Sequence, residues 1–188
     1  MSVLKRKRSV SKIQYLQIGN FIFDYTANFV SRLSSRFGRI LGSPTMRIAS
    51  TFLINIEMAN SIYPNTEDRV KLREKYLIEA GASLNTLDVF LSKCYNIMLT
   101  NPQGCFTTTG GKQVPADRAI KRLDSLAQQV GEAIDAERAL IRGVIKSDRT
   151  KFKNGQYTDN DDTNTDNETT PIFDVDKAER IIADAFNK

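Results

Sequence analysis

Apolar residues recur at steps of three and four along four successive stretches of this chain, and that period is the strongest constraint on its fold. The first stretch runs roughly from Ser11 to Phe37, with Ile13, Leu16, Phe23, Ala27, Val30 and Phe37 on the stripe. Ile22, Phe29 and Leu33 widen it, and Gly38-Arg39-Ile40-Leu41-Gly42 supplies the turn geometry expected to end it. The second starts at Ser43-Pro44, a capping residue followed by proline at the first helical position, and carries Met46, Ala49, Leu53 and Ile56. It is expected to end near Tyr63-Pro64, because the residue before proline is pushed out of helical geometry.

The third stretch begins at Asn65 or Thr66, with Glu67 and Asp68 where carboxylates favour the helix dipole. It continues through Val70, Leu77, Leu84, Leu87, Leu91 and Ile97 to about Leu99, where Asn101-Pro102 opens a glycine-containing loop. The fourth runs from about Pro115 to about Ser147 through Ile120, Leu123, Leu126, Val130, Ile134, Ile141 and Val144. Sustained alternation is missing, and β-branched runs are confined to Thr107-Thr108-Thr109. Four long helices joined by mostly short connections predict an all-α, antiparallel four-helix bundle.

Three segments follow from this pattern: a basic arm over 1–12, the bundle over 13–153, and an acidic segment over 154–188. Asn154 to Thr170 is nearly all Asn, Asp, Thr, Gly and Gln, too polar to bury a core, and reads as disordered. Asp174 to Phe186 regains helical spacing through Val175, Ala178, Ile181, Ile182 and Phe186. It reads either as a short amphipathic docking helix on a flexible leash or as a fifth helix packed on its own bundle.

Charge is divided along the chain. Residues 1–153 hold 24 Lys+Arg and 13 Asp+Glu, so 24 − 13 gives +11. Residues 154–188 hold 3 Lys+Arg and 9 Asp+Glu, so 3 − 9 gives −6. A basic body with an acidic tail points toward a polyanionic partner. Met1 to Arg8 runs into polar sequence with no apolar segment, and no apolar stretch reaches the roughly 18 residues of a membrane span. The expected location is cytoplasmic, with no membrane partner.

Catalysis is not expected. The chain has no histidine, which removes Ser/His and Cys/His nucleophile pairs and the commonest general base near neutral pH. Two cysteines without histidine cannot build a four-ligand zinc site of the usual kind. Cys94 reads as a buried structural thiol and Cys105 as a loop thiol, with a regulatory disulfide as the weaker reading. Asp24, Glu57, Glu79 and Asp88 lie closest to apolar stripes, but bundle di-metal sites use Glu-x-x-His, so no metal or other cofactor is expected. Gly110-Gly111-Lys112 lacks the spacing and the preceding strand of a phosphate loop.

The basic residues carry the functional signal. Lys5, Arg6, Lys7, Arg8 and Lys12 precede the first helix. Within the first helix and its exit, Arg32, Arg36 and Arg39 fall at i, i+4 and i+7, so they are expected to share one face, away from the apolar stripe. Arg138, Arg142, Lys146 and Arg149 make a second stripe, with Arg118, Lys121 and Arg122 near the start of the same helix. Such faces neutralise phosphates and give salt-dependent, largely sequence-independent binding. Taken singly, each arginine is better read as a residue of a solvated helix face, and it is the clusters together that point to nucleic acid. The acids of the tail, Asp159, Asp161, Asp162, Asp166 and Glu168, are suited to lie over this surface and compete with nucleic acid.

Ala80-Gly81-Ala82-Ser83 interrupts the third helix with small residues, although glycine inside a helix costs about 1 kcal/mol against alanine. Close packing accounts for such a step, either within the bundle or at a subunit contact.

The order of four helices, the second helix "SPTMRIASTFLINIEMAN" and the third helix "LREKYLIEAGASLNTLDVFL" resemble a four-helix-bundle family. Its members include proteins encoded in ribosomal RNA intervening sequences and the accessory variability determinants of diversity-generating retroelements. The similarity covers roughly Ile13 to Ile145 and is most telling at the small-residue step followed by Leu84, Leu87 and Leu91. It implies a noncatalytic protein that assembles as a ring, a homopentamer in the retroelement proteins. It further implies binding to the reverse transcriptase of the same element and to its RNA and cDNA. The alternatives are an rRNA-associated protein without a polymerase partner and a structural protein–protein adaptor.

Overall fold

A computed structural model describes residues 14–106 and 114–156. Among them the chain is all-α and bundle-like, with four long helices and no strand. These are α1 (Gln14–Val30), α2 (Ser43–Asn60), α3 (Glu67–Thr100) and α4 (Ala116–Lys153). The basic residues Lys5, Arg6, Lys7, Arg8 and Lys12, the Gly110-Gly111-Lys112 segment and the helix expected over Asp174 to Phe186 all lie outside the described residues.

The first helix is shorter than its apolar stripe suggested. The chain leaves α1 after Val30, and Ser34 takes an extended conformation at φ −56° and ψ 154°. Leu33 is buried nonetheless, so it continues the core from a turn rather than from a helix. The glycines that were expected to stop the helix do the opposite. Gly38 and Gly42 both have right-handed helical angles, and a turn at Ser35–Phe37 passes through a π-turn at Gly38–Gly42 directly into α2.

Pro44 explains the π-turn. Its ring lacks an N–H and would press on the carbonyl four residues earlier in a regular helix. A widened turn relieves that contact, and the Ser43 N–H bonds the Gly38 carbonyl, five residues back. Ser43 is therefore an internal residue of a longer helical run rather than a cap.

The other helix ends follow local chemistry. Thr66 opens α3, its Oγ1 accepting the Arg69 N–H at 3.4 Å, with Glu67 and Asp68 in the first turn. α4 runs past Ser147 to Lys153 and closes in a Schellman arrangement. Gly155 sits at φ +64°, its N–H bonding the Phe152 carbonyl at 3.1 Å while Gln156 N–H bonds Lys151 at 3.0 Å. Among the described residues this is the one position where glycine's left-handed freedom is required.

Packing joins α1 to α2, α2 to α3, α3 to α4 and α1 to α4. Gly19 of α1 lets Phe52 and Ile56 of α2 approach within ordinary contact of where a Cβ would stand. Thr45, near the start of α2, places its Oγ1 3.7 Å from the Sγ of Cys94, near the end of α3. Tyr25 and Phe29 stack at 5.6 Å between ring centroids and are both fully buried.

The small-residue step does not work as a close packing site within the chain. Only Ala80 is in the core. A Cβ on Gly81 would meet nothing within 4 Å, and Ala82 is exposed. Both lie on the outward side of α3, where the described chain packs nothing against them.

Candidate nucleic-acid interface

The described residues hold 18 Lys+Arg and 13 Asp+Glu, and 18 − 13 gives +5. More than half of the net positive charge of the body, 6 of 11, therefore comes from Lys5, Arg6, Lys7, Arg8, Lys12 and Lys112, outside those residues.

The break after Val30 separates the first predicted face. Arg36 and Arg39 are exposed on the helical lead-in to α2, while Arg32 sits in the turn after α1 and points inward. Its Nη1 donates to the Cys105 carbonyl at 2.9 Å, and its guanidinium lies 4.6 Å from the centre of the Phe106 ring. Arg122 of α4 lies 5.7 Å from the same ring. Burial pushes the pKa of Arg32 down, and the like charge of Arg122 acts in the same direction. Arg32, Arg36 and Arg39 thus do not share a helix face, because a chain turn intervenes.

The second stripe is real as geometry. Arg138, Arg142, Lys146 and Arg149 fall on one side of the continuous α4. Its two ends, however, are already neutralised by α3. Arg138 donates from Nη2 to Asp88 at 2.7 Å, from Nε to Asn85 at 2.8 Å and from Nη1 to Asp135 at 2.8 Å. Arg149 grips Glu74 through two contacts, one of them Nε to Oε2 at 2.8 Å. The hydrogen bond to Arg149 holds the Glu74 carboxyl below its usual range.

Between these clamps, Arg142 and Lys146 are exposed and make no ion pair among the described residues. The Nε of Arg142 donates to the Arg138 carbonyl at 3.1 Å, which fixes the direction of its side chain. Lys121 and Lys153, also exposed, fall within the same angular sector of α4. Mixed duty of this kind is what sequence spacing cannot separate: all four cations share a period, but two bind the neighbouring helix.

Polar residues missed from the sequence gather elsewhere. The Tyr15 hydroxyl donates to Asn60 at 3.2 Å, and burial raises its pKa to about 12. Arg73 donates from Nη1 to the Ile62 carbonyl at 3.0 Å and sets Nε 2.9 Å from Asp148. Glu137 is fully buried, and neither carboxylate oxygen has a hydrogen-bond partner among the described residues. Burial raises its pKa well above the usual carboxylate range, which favours the neutral form. The signal for it was present: Val130, Ile134 and Ile141 leave a gap at 137 on the buried stripe.

Cys94 is buried and Cys105 half-buried, and both are free thiols. No three Cys, Asp or Glu side chains converge as a metal site among the described residues. No described helix is long and apolar enough to cross a membrane.

Among the described residues, fold and surface define a class, a four-helix, bundle-like all-α protein with cations displayed along α4, the longest of those helices. No family model, curated protein or solved structure matches the chain.

Proposed function

We propose that this chain is a noncatalytic accessory protein of a diversity-generating retroelement. In this reading it is an antiparallel four-helix bundle that assembles as a ring, binds the element's reverse transcriptase and holds template RNA and cDNA through phosphate contacts. The polymerase supplies the chemistry. The observation that carries the reading is the exposed Arg142–Lys146 pair on α4, clamped on either side by Arg138–Asp88 and Arg149–Glu74. Cations fixed in position on a rigid helix meet a polyphosphate chain at low entropic cost. Assembly is supported by Ile54, Ile78 and Val89, which are 60%, 56% and 56% exposed on α2 and α3. Apolar side chains of that size on outward faces favour a covering partner.

The test is affinity capture of the full chain from cells carrying its native locus, with sequencing of bound nucleic acid. Recovery of a reverse transcriptase with its RNA supports the proposal. Ribosomal RNA without a polymerase replaces it with the intervening-sequence reading. Protein partners without nucleic acid replace it with an adaptor.

A further inference from the structure

The two clamps between α3 and α4 also fix how these helices run past each other. Glu74 meets Arg149 and Asn85 meets Arg138, and eleven positions separate the two partners on each helix. Counting along both, Arg142 stands level with Gly81, and Lys146 level with Leu77. The exposed cations therefore border a particular strip of α3. Ile78, Ala82, Asn85 and Val89 follow there at steps of four, three and four on the outward side, with Gly81 beside them. Ile78 and Val89 are apolar and exposed, and a Cβ on Gly81 would meet nothing within 4 Å. The seam is apolar at both ends, low in the middle, and basic along the α4 edge of its first half.

Residues 174–186 are a chemical complement to this seam. Val175, Ala178, Ile182 and Phe186 repeat at steps of three, four and four, so in a helix they would line one side over eleven positions. The strip from Ile78 to Val89 also covers eleven, about 16 Å of helix. Asp176 and Glu179 would fall on one flank of the apolar side, three positions apart, against the four between Arg142 and Lys146. The place where α4 ends suits the pairing as well. Lys153 is one turn beyond Arg149, and Ile78 is one turn beyond Glu74, so the seam runs from about 12 to about 28 Å from the end of α4. Eighteen residues, 157–174, join the described chain to Val175, and a flexible chain of that length spans about 23 Å on average.

We propose that residues 174–186 dock as a helix on this seam of their own chain, with the apolar side on Ile78 and Val89. Asp176 and Glu179 then lie over Arg142 and Lys146. Tethering supplies an effective concentration in the millimolar range, so modest contacts suffice. Docking covers the two exposed cations of α4, and the segment and a phosphate chain exclude one another there. The contact stands whether or not that surface binds nucleic acid. A second copy of the chain is the competing cover for Ile78 and Val89.

The experiment is a disulfide trap in the full chain, with Cys105→Ser removing the half-buried thiol. Ala82→Cys with Ala178→Cys puts a thiol on each strip, and the exposed Thr51→Cys of α2 with Ala178→Cys is the control. At low protein concentration under mild oxidation, the Ala82 pair should close within one chain at least about tenfold faster than the control. Asp176→Lys with Glu179→Lys should slow that closure severalfold at low salt, and adding Arg142→Glu with Lys146→Glu should restore it. Circular dichroism checks the helicity of every variant.

Equal closure at Ala82 and Thr51 overturns the proposal. Disulfides that form only between chains assign the seam to a second copy and overturn it too. Fast closure that ignores the charge reversals overturns the placement of the acids over Arg142 and Lys146. Each of these results is read without nucleic acid present and leaves the phosphate-binding role of α4 to its own test.

Discussion

Arg73 of α3 and Asp148 of α4 face each other at 2.9 Å with side chains only 14% and 11% exposed. The pair joins the first turns of α3 to the last turns of α4, and through the Ile62 carbonyl it also holds the α2–α3 connection. Removing one partner of a buried ion pair leaves the other charge uncompensated. Arg73→Ala should therefore destabilise the fold by about 3 kcal/mol, while replacing both residues with apolar ones of similar volume should restore most of that loss. Denaturant unfolding of the single and double variants checks the difference.

Glu137 makes the opposite prediction. Burial raises its pKa in the fold above that in the unfolded chain, so between the two values the folded state binds more protons. Its contribution is intact below the ordinary carboxylate value of 4.5 and is lost as pH rises toward the raised folded value. Stability of the native chain should fall across that window, by at most about 1.4 kcal/mol per pH unit from this group. Glu137→Met should remove that part of the slope and raise stability at neutral pH by about 1–3 kcal/mol. Unfolding midpoints of the two proteins at mildly acidic and mildly alkaline pH supply the comparison.

Gly81 separates packing from assembly. A Cβ there meets nothing within 4 Å, so Gly81→Ala should stabilise the isolated chain by about 1 kcal/mol through helix propensity alone. Gly81→Leu should leave the helical content intact. If the Ala80–Ser83 step is a subunit seam, the leucine variant should lower the mass measured by light scattering, and an unchanged mass removes the seam.

Arg142 and Lys146 should divide from their neighbours in a salt titration of nucleic-acid binding. The double alanine variant should lower the slope of log affinity against log salt by about 2, close to 0.9 per phosphate lost. Arg138→Ala and Arg149→Ala should act mainly on thermal stability, because those side chains serve Asp88 and Glu74.

Deleting residues 154–188 should tighten nucleic-acid binding at low salt, since that segment carries −6 of charge. Equal affinity of the full and shortened chains would remove the competing role of the tail.

The helices were legible because each core stripe keeps its period for many turns, and Thr66 and Pro64 mark their boundaries by local chemistry. The end of α1 was not, because Val30, Leu33 and Phe37 keep an apolar rhythm across a turn that contains no proline or glycine. Nor was the helical state of Gly38 and Gly42, which depends on the demand of Pro44. At the candidate surface, the fate of Arg32 is set by a carbonyl 73 positions away, and that of Arg149 by a carboxylate 75 positions away. Spacing along one helix carries no information about such partners.

The widened turn ahead of α2 holds one residue more than a regular turn, which advances the angular phase of the chain by about 100°. With that offset, Phe37 and Leu41 pack against the core and Ile40 faces outward. Loss of a single residue between Gly38 and Gly42 would then act as a rotation of everything upstream, swinging Arg36 and Arg39 to a different side of the molecule while scarcely shortening it.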